Sequence, residues 1–204
     1  MSQEKNITMT GEELAREIIE FLDRTATKPG GARTKAGCNL KHGRACALGT
    51  CVDNEPRVTP VDFFHEGMTV WIAGEPGGKI ANIMRNPKVA VGIYEPVDHS
   101  VEQKSLQLWG KAELINMKNN PEEFQKRVEA FGIREAASGM MDELARKGII
   151  PAGQEEAVKE KIFKRFNLIR ITPEKVVLLH MDRYNPPLKK TWENGTATVK
   201  AAGM

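Results

Sequence analysis

The sequence predicts an α+β fold built around an antiparallel sheet or barrel. Two closely spaced connections join three β-rich runs in the middle of the chain, strands dominate there, and helical periodicity appears on both sides of them. With 204 residues the chain is long enough for one domain with a substantial core, so 1–204 is read as a single domain.

The first element is a helix over 11–24. Thr10 and Glu13 form a capping box, and Leu14, Ile18, Phe21 and Leu22 repeat at helical spacing. Residues 25–44 hold four glycines and five Lys/Arg but no Asp or Glu, which makes them a long basic loop, either functional or a solvated connector. Strands follow at 45–52 and 57–65, joined by DNEP, and at 68–73, reached through HEGM. Gly74–Pro87 then reads as a glycine turn, a lysine and a short helix burying Ile80, Ile83 and Met84, stopped by Asn86-Pro87. Strands 88–94 and 105–116 come next. A helical insert spans 117–162: Asn120-Pro121 starts a helix over 121–147 that breaks near Gly132 or Gly139, and 154–162 forms a second piece. Two last strands, 163–171 and 176–182, are expected to flank TPEK, and 183–204 reads as a C-terminal tail.

Composition narrows the function. A net charge of +3 is too mild to make nucleic acid the main partner. No apolar run approaches the ~20 residues of a membrane span. The N-terminus MSQEKNITMTGEELA has no apolar signal core, so the chain is expected to be cytoplasmic. Cys38, Cys46 and Cys51 are an odd set in such a chain and argue for free thiols. With His42 they make C-x3-H-x3-C-x4-C, which matches no common ligand spacing, and no metal is expected.

The stretch GEPGGKIANIMRNP carries the most chemistry. It is not a P-loop, since Ala73 stands at the leading glycine and Ile80 where a hydroxyl is required. Amides at a helix start plus Lys79 make an anion site, and the alternative is a plain strand-to-helix turn with a solvated lysine. Strand alternation puts Arg57 and Thr59 on one face. If strands 57–65 and 68–73 pair, Arg57, Thr59 and Lys79 converge, a set suited to a phosphate dianion. On 105–109, Ser105, Gln107 and Trp109 share the face opposite Leu106 and Leu108, and either line a ligand pocket or face water.

The ordered set R-V-T-P, hairpin, Gly-rich turn with Lys, R-N-P-K-V-A-V and W-G-K-A-E resembles the FMN-binding split-barrel family, the superfamily of pyridoxamine 5′-phosphate oxidase. The resemblance covers 44–116 well and 163–182 loosely. It implies a six-stranded antiparallel split β-barrel of Greek-key type with peripheral helices, 45–116 and 163–182 forming the barrel. It also implies a homodimer holding FMN at its interface and a flavin-dependent oxidoreductase acting on a small molecule. A flavin carrier or sensor is the alternative, as is a relative using heme or deazaflavin. By position, Arg57 and Lys79 match the phosphate-binding cations. Val58, Thr59 and Pro60 match the strand along the flavin, and Ile72 and Ala73 match the backbone at the isoalloxazine. Ser105 matches a flavin-contacting glutamine, with Gln107 and Trp109 following. Gly77 and Gly78 replace a Ser-Arg pair and Ala73 replaces a threonine. The oxidase's C-terminal substrate signature has no counterpart, although Arg183 and Trp192 lie in that region.

Overall fold

The computed structural model describes residues 8–27, 45–95 and 102–201. Six strands close on themselves: β1 (Ala45–Val52), β2 (Glu55–Glu66), β3 (Thr69–Gly74), β4 (Lys88–Tyr94), β5 (Glu102–Ile115) and β6 (Asn167–Asp182). Every neighbouring pair is antiparallel, in the order β3-β2-β1-β4-β5-β6, and a β3–β6 pairing joins the ends. This is the six-stranded barrel the sequence led us to expect.

Turn chemistry sets the register. Asp53 and Asn54 both have positive φ in the two-residue turn between β1 and β2, a conformation that short polar side chains tolerate. Gly67 supplies the positive φ after β2. The closure is partial. β2 pairs with β3 only over Phe63–Glu66, while the other edge of β3 pairs with β6 from Val70 to Gly74. The ladder is therefore open alongside the first part of β2, and this is the split in the barrel.

Alternation points Cys46, Leu48, Val91, Ile93, Leu106 and Leu108 inward. Helix α1 (Gly11–Thr25) adds Leu14, Ile18, Phe21 and Leu22 to that same core. Its capping box forms as its sequence indicates. α2 (Gly78–Arg85) contributes Ile80 and Ile83 to the core.

The insert is three helices, α3 (Pro121–Ala130), α4 (Ile133–Arg146) and α5 (Glu155–Phe163). The break falls at Gly132, whose φ is +65°, whereas Gly139 continues the helix. These helices cover the outer side of the barrel with a second cluster. Phe124, Val128, Phe131, Phe163 and Phe166 pack on Phe64, Trp71, Ile115 and Leu168.

Four sequence expectations need correction. Met84, expected on the buried face of α2, is 75% exposed, because only Ile80 and Ile83 of that helix reach the core. Residues 163–171 are not all strand: α5 runs to Phe163, and the strand starts at Asn167. TPEK is not a turn, because β6 runs through it unbroken. A register shift between Trp109 and Gly110 sets Gly110 opposite Pro173, and a Cβ on Gly110 would come within 2.1 Å of the Thr172 oxygen. Proline, lacking an N–H, is accommodated at such an irregularity. Finally, the segment read as a tail carries a hairpin, β7 (Asn185–Glu193) and β8 (Thr196–Ala201), which extends the sheet from β6.

Candidate functional site

β1 and β2 bring Thr50 opposite Arg57 beside the split. Helix α2 is tied to that hairpin by three side chains. Asn82 Nδ2 donates to Thr50 Oγ1 at 3.1 Å, Asn86 Nδ2 donates to the Cys51 carbonyl at 2.9 Å, and Arg85 pairs with Asp53 at 2.6 Å. The start of α2 is thereby held against the strand that carries Arg57.

The contact is close. The Arg57 guanidinium lies against the bare α-carbon of Gly78, so that a Cβ built there would be 2.8 Å from Arg57 Cζ. Lys79 follows in the same turn. The end of the helix is open to an anion: no side chain caps it, and its first turn has no acid. Among the described residues, neither Arg57 nor Lys79 has a carboxylate within ion-pair distance. The Arg57 guanidinium and the uncapped start of the helix that carries Lys79 therefore meet at one spot, an arrangement suited to a phosphate-sized dianion.

The remaining expected residues fall in three groups. Thr59 shares the Arg57 face of β2, half-buried opposite Leu48. Ile72 is fully buried and has a strand partner on each side, Phe63 of β2 and Ile169 of β6, and Ala73 packs against the second cluster. Gly77 is extended and stands immediately before α2. Val58 and Pro60 point to the opposite, outer face of β2, where Val58 is 68% exposed.

Ser105, Gln107 and Trp109 also lie on the outer face. Cross-strand pairing runs Val58–Gly49, Gly49–Ala90 and Ala90–Trp109, and the next row runs Pro60–Ala47, Ala47–Gly92 and Gly92–Gln107. Three strand spacings of about 4.8 Å separate β2 from β5, so Trp109 stands roughly 14 Å from Val58. One chain therefore brings Arg57, Gly78 and Lys79 together, and does not bring Ser105, Gln107 or Trp109 to them.

The floor between these residues is Gly49, Ala47, Ala90 and Gly92. Around it stand Val58, Tyr94 (64% exposed) and Trp109 (40% exposed). This is a flat apolar surface with no ionisable group in its two central rows from β2 to β5.

Sequence reasoning missed the seat that Gly78 provides for Arg57, and also the Asn82, Asn86 and Arg85 ties. A glycine in the first turn of a helix, where it costs stability, is the signal that could have pointed to the first.

Among the described residues, no carboxylate forms an ion pair with either cation. The described carboxylates with depressed pKa are held down elsewhere, Glu13 by the Thr10 amide, Glu66 by its bond to Arg127, Glu102 by Lys104, Glu143 by Arg146 and Asp182 by the Tyr184 amide. Burial pushes the Cys46 thiol up to about 12, so it is not a nucleophile. Cys51 sits on the other face of β1. Cys38, His42 and nearly all of the basic loop 25–44 lie outside the described residues.

A six-stranded split barrel with an uncapped, acid-free helix start beside its opening defines a class of β-barrel proteins. The sequence match places the chain within it: residues 35–180 match the family model described as pyridoxamine 5′-phosphate oxidase, and the chain belongs to that family. Its fold is similar to that of a pyridoxamine 5′-phosphate oxidase-related, FMN-binding protein from Nostoc punctiforme. The two are 18% identical with a TM-score of 0.54, over 93% of this chain and 96% of the other. It is also similar to PhzG from Burkholderia lata, crystallised with tetrahydrophenazine-1-carboxylic acid, at 12% identity and a TM-score of 0.54, over 79% and 83% of the two chains. A search of the curated proteins finds no match. No helix among the described residues is long and apolar enough to cross a membrane.

Proposed function

We propose that this chain is the subunit of a homodimeric FMN-dependent oxidoreductase acting on a small molecule. The observation that carries the reading is the Arg57 guanidinium seated on Gly78 at the open, acid-free start of α2. An FMN phosphate fits that donor set in size, charge and hydrogen-bonding capacity. Arg57 and Lys79 hold the phosphate with the first amides of α2. The backbone of Val58–Pro60 lines the split as the flavin-facing edge, with Ile72 and Ala73 at its closed end. Family membership and the FMN-binding relative from Nostoc support the choice of cofactor.

Bound FMN supplies two-electron chemistry, taking hydride from a donor and passing electrons to an acceptor. The protein's part is to grip the phosphate and to shield the ring. The bare outer face supports a dimer: it is apolar, flat and uncovered, and a second copy brings another Ser105, Gln107 and Trp109 to the molecule. This division of the site between two copies accounts for residues that a single chain keeps apart.

A flavin carrier without turnover is the rival reading, favoured by the lack of a carboxylate paired with either cation among the described residues. The test is purification followed by absorbance spectroscopy, titration with FMN and riboflavin, and anaerobic reduction with oxygen, quinone and nitro-compound acceptors. The reading expects a yellow protein that prefers FMN and is reoxidised by at least one acceptor. A heme or deazaflavin spectrum, or equal affinity for FMN and riboflavin, overturns it. Tight FMN binding without acceptor turnover leaves the carrier.

A further inference from the structure

The two glycines before Lys79 are not equivalent. A Cβ on Gly77 would meet nothing within 4 Å, whereas one on Gly78 would stand 2.8 Å from both Cζ and Nη1 of Arg57 and 3.1 Å from Nε. Three guanidinium atoms at nearly equal distance mean that the group presents its face to Gly78. Its N–H edges are then turned away from the helix and are free for bidentate bonding.

No backbone requirement explains this glycine. Gly78 is absent from the positive-φ residues, so an L-residue adopts its conformation without strain. It opens an eight-residue helix, where alanine is intrinsically better by up to about 1 kcal/mol. The feature of the structure that a side chain at 78 would disturb is Arg57.

We propose that Gly78 is a specificity-determining positioning residue. Lacking a Cβ, it seats the Arg57 guanidinium face-on against the start of α2, and the seat lets the site distinguish a phosphomonoester from the same ligand without its phosphate. The inference rests on the FMN reading above and adds the determinant of its phosphate selectivity. Any side chain at 78 lifts Arg57 off the helix and separates the two cations from the amides they act with.

The experiment is a double-mutant cycle read by binding rather than by turnover. Wild type, G78A, R57A and R57A/G78A are titrated with FMN and with riboflavin, following flavin fluorescence, and each is melted thermally. The expected result for G78A is a loss of roughly 10-fold in FMN affinity, unchanged riboflavin affinity, and a melting temperature equal to wild type or higher. In the R57A background, G78A has no further effect. R57K is an independent arm that leaves position 78 intact; it keeps the charge but has no planar face, and it too loses FMN preference by about 10-fold.

The proposal is overturned if G78A keeps the wild-type FMN-to-riboflavin ratio, if it weakens both ligands alike, if its effect persists without Arg57, or if R57K retains full preference. Failure of the underlying reading looks different: wild type itself then shows no preference for FMN over riboflavin.

Discussion

The outside of this barrel is treated in two ways. Around Trp71 it is covered by the chain's own helices. Phe64 stacks on Phe131 with ring centres 4.6 Å apart, and Arg127 and Arg170 lie 5.0 and 5.8 Å from the Trp71 ring. Around Ala90 it is bare, with a floor of glycine and alanine and a rim of Val58, Tyr94 and Trp109. The covered face is aromatic and packs against helices, whereas the bare face has small side chains at its centre and exposed apolar ones at its rim. The difference teaches that the described chain buries one part of the barrel's outer surface itself and leaves another apolar part exposed, which is the surface the proposed dimer would use.

Substitutions can set the two faces against each other. The largest effect is expected from Phe124→Ala on the covered side. Phe124 is fully buried between Phe163 and Phe166, and its truncation should cost about 3–5 kcal/mol in chemical denaturation. Phosphate selectivity should survive in the molecules that remain folded. Ala90→Arg on the bare side should do the opposite. It leaves the monomer's melting temperature near wild type and shifts sedimentation at micromolar concentration from dimer to monomer, because an unpaired charge in an interface costs about 3–5 kcal/mol. A dimer that persists in the Ala90→Arg variant would show that this face is not the interface.

Lys79→Ala comes next. It should weaken FMN binding by about 10- to 100-fold, the equivalent of one charge-assisted bond of roughly 1.5–3 kcal/mol. The barrel's circular dichroism should not change. An unaltered titration would mean that Lys79 is merely solvated.

The smallest effect concerns pH. The Arg127 bond holds the Glu66 carboxyl below its ordinary value of 4.5. A depressed carboxylate stabilises the fold above its unfolded pKa and loses that contribution as the pH falls through the lower, folded value. Glu66 is largely exposed, so the pair is worth well under 1 kcal/mol. Glu66→Gln should flatten the corresponding part of the stability curve below about pH 4.5. The two central rows of the bare face have no ionisable group, so dimerisation at neutral pH should not respond to this substitution.

Much of the fold was legible because periodicity is local. β1 and β4 occur where alternation and β-branched content indicate, and α1 and α3 begin at the Thr10 and Asn120 caps. The TPEK segment misleads because Thr-Pro reads as a turn, and only the irregularity opposite Gly110 lets β6 continue. The C-terminal hairpin carries a local signal of its own. Glu193-Asn-Gly-Thr196 is an Asn-Gly turn between strands, and Asn194 and Gly195 both have positive φ.

The sequence by itself determined the cations, the short helix and the strand that bears Arg57, because each is specified by neighbours a few residues away. It also determined that Ser105, Gln107 and Trp109 share a face. Only the tertiary structure decided where the barrel opens, since that depends on β3 pairing with just four residues of β2 on one edge while its other edge pairs with β6, about 100 positions further along the chain. It alone showed that Arg57 rests on Gly78, because a first-turn glycine marks an open position without naming the side chain that occupies it. It also showed that the two halves of the candidate site stand on different faces of one sheet, a separation set by strand order, which alternation within a single strand does not encode.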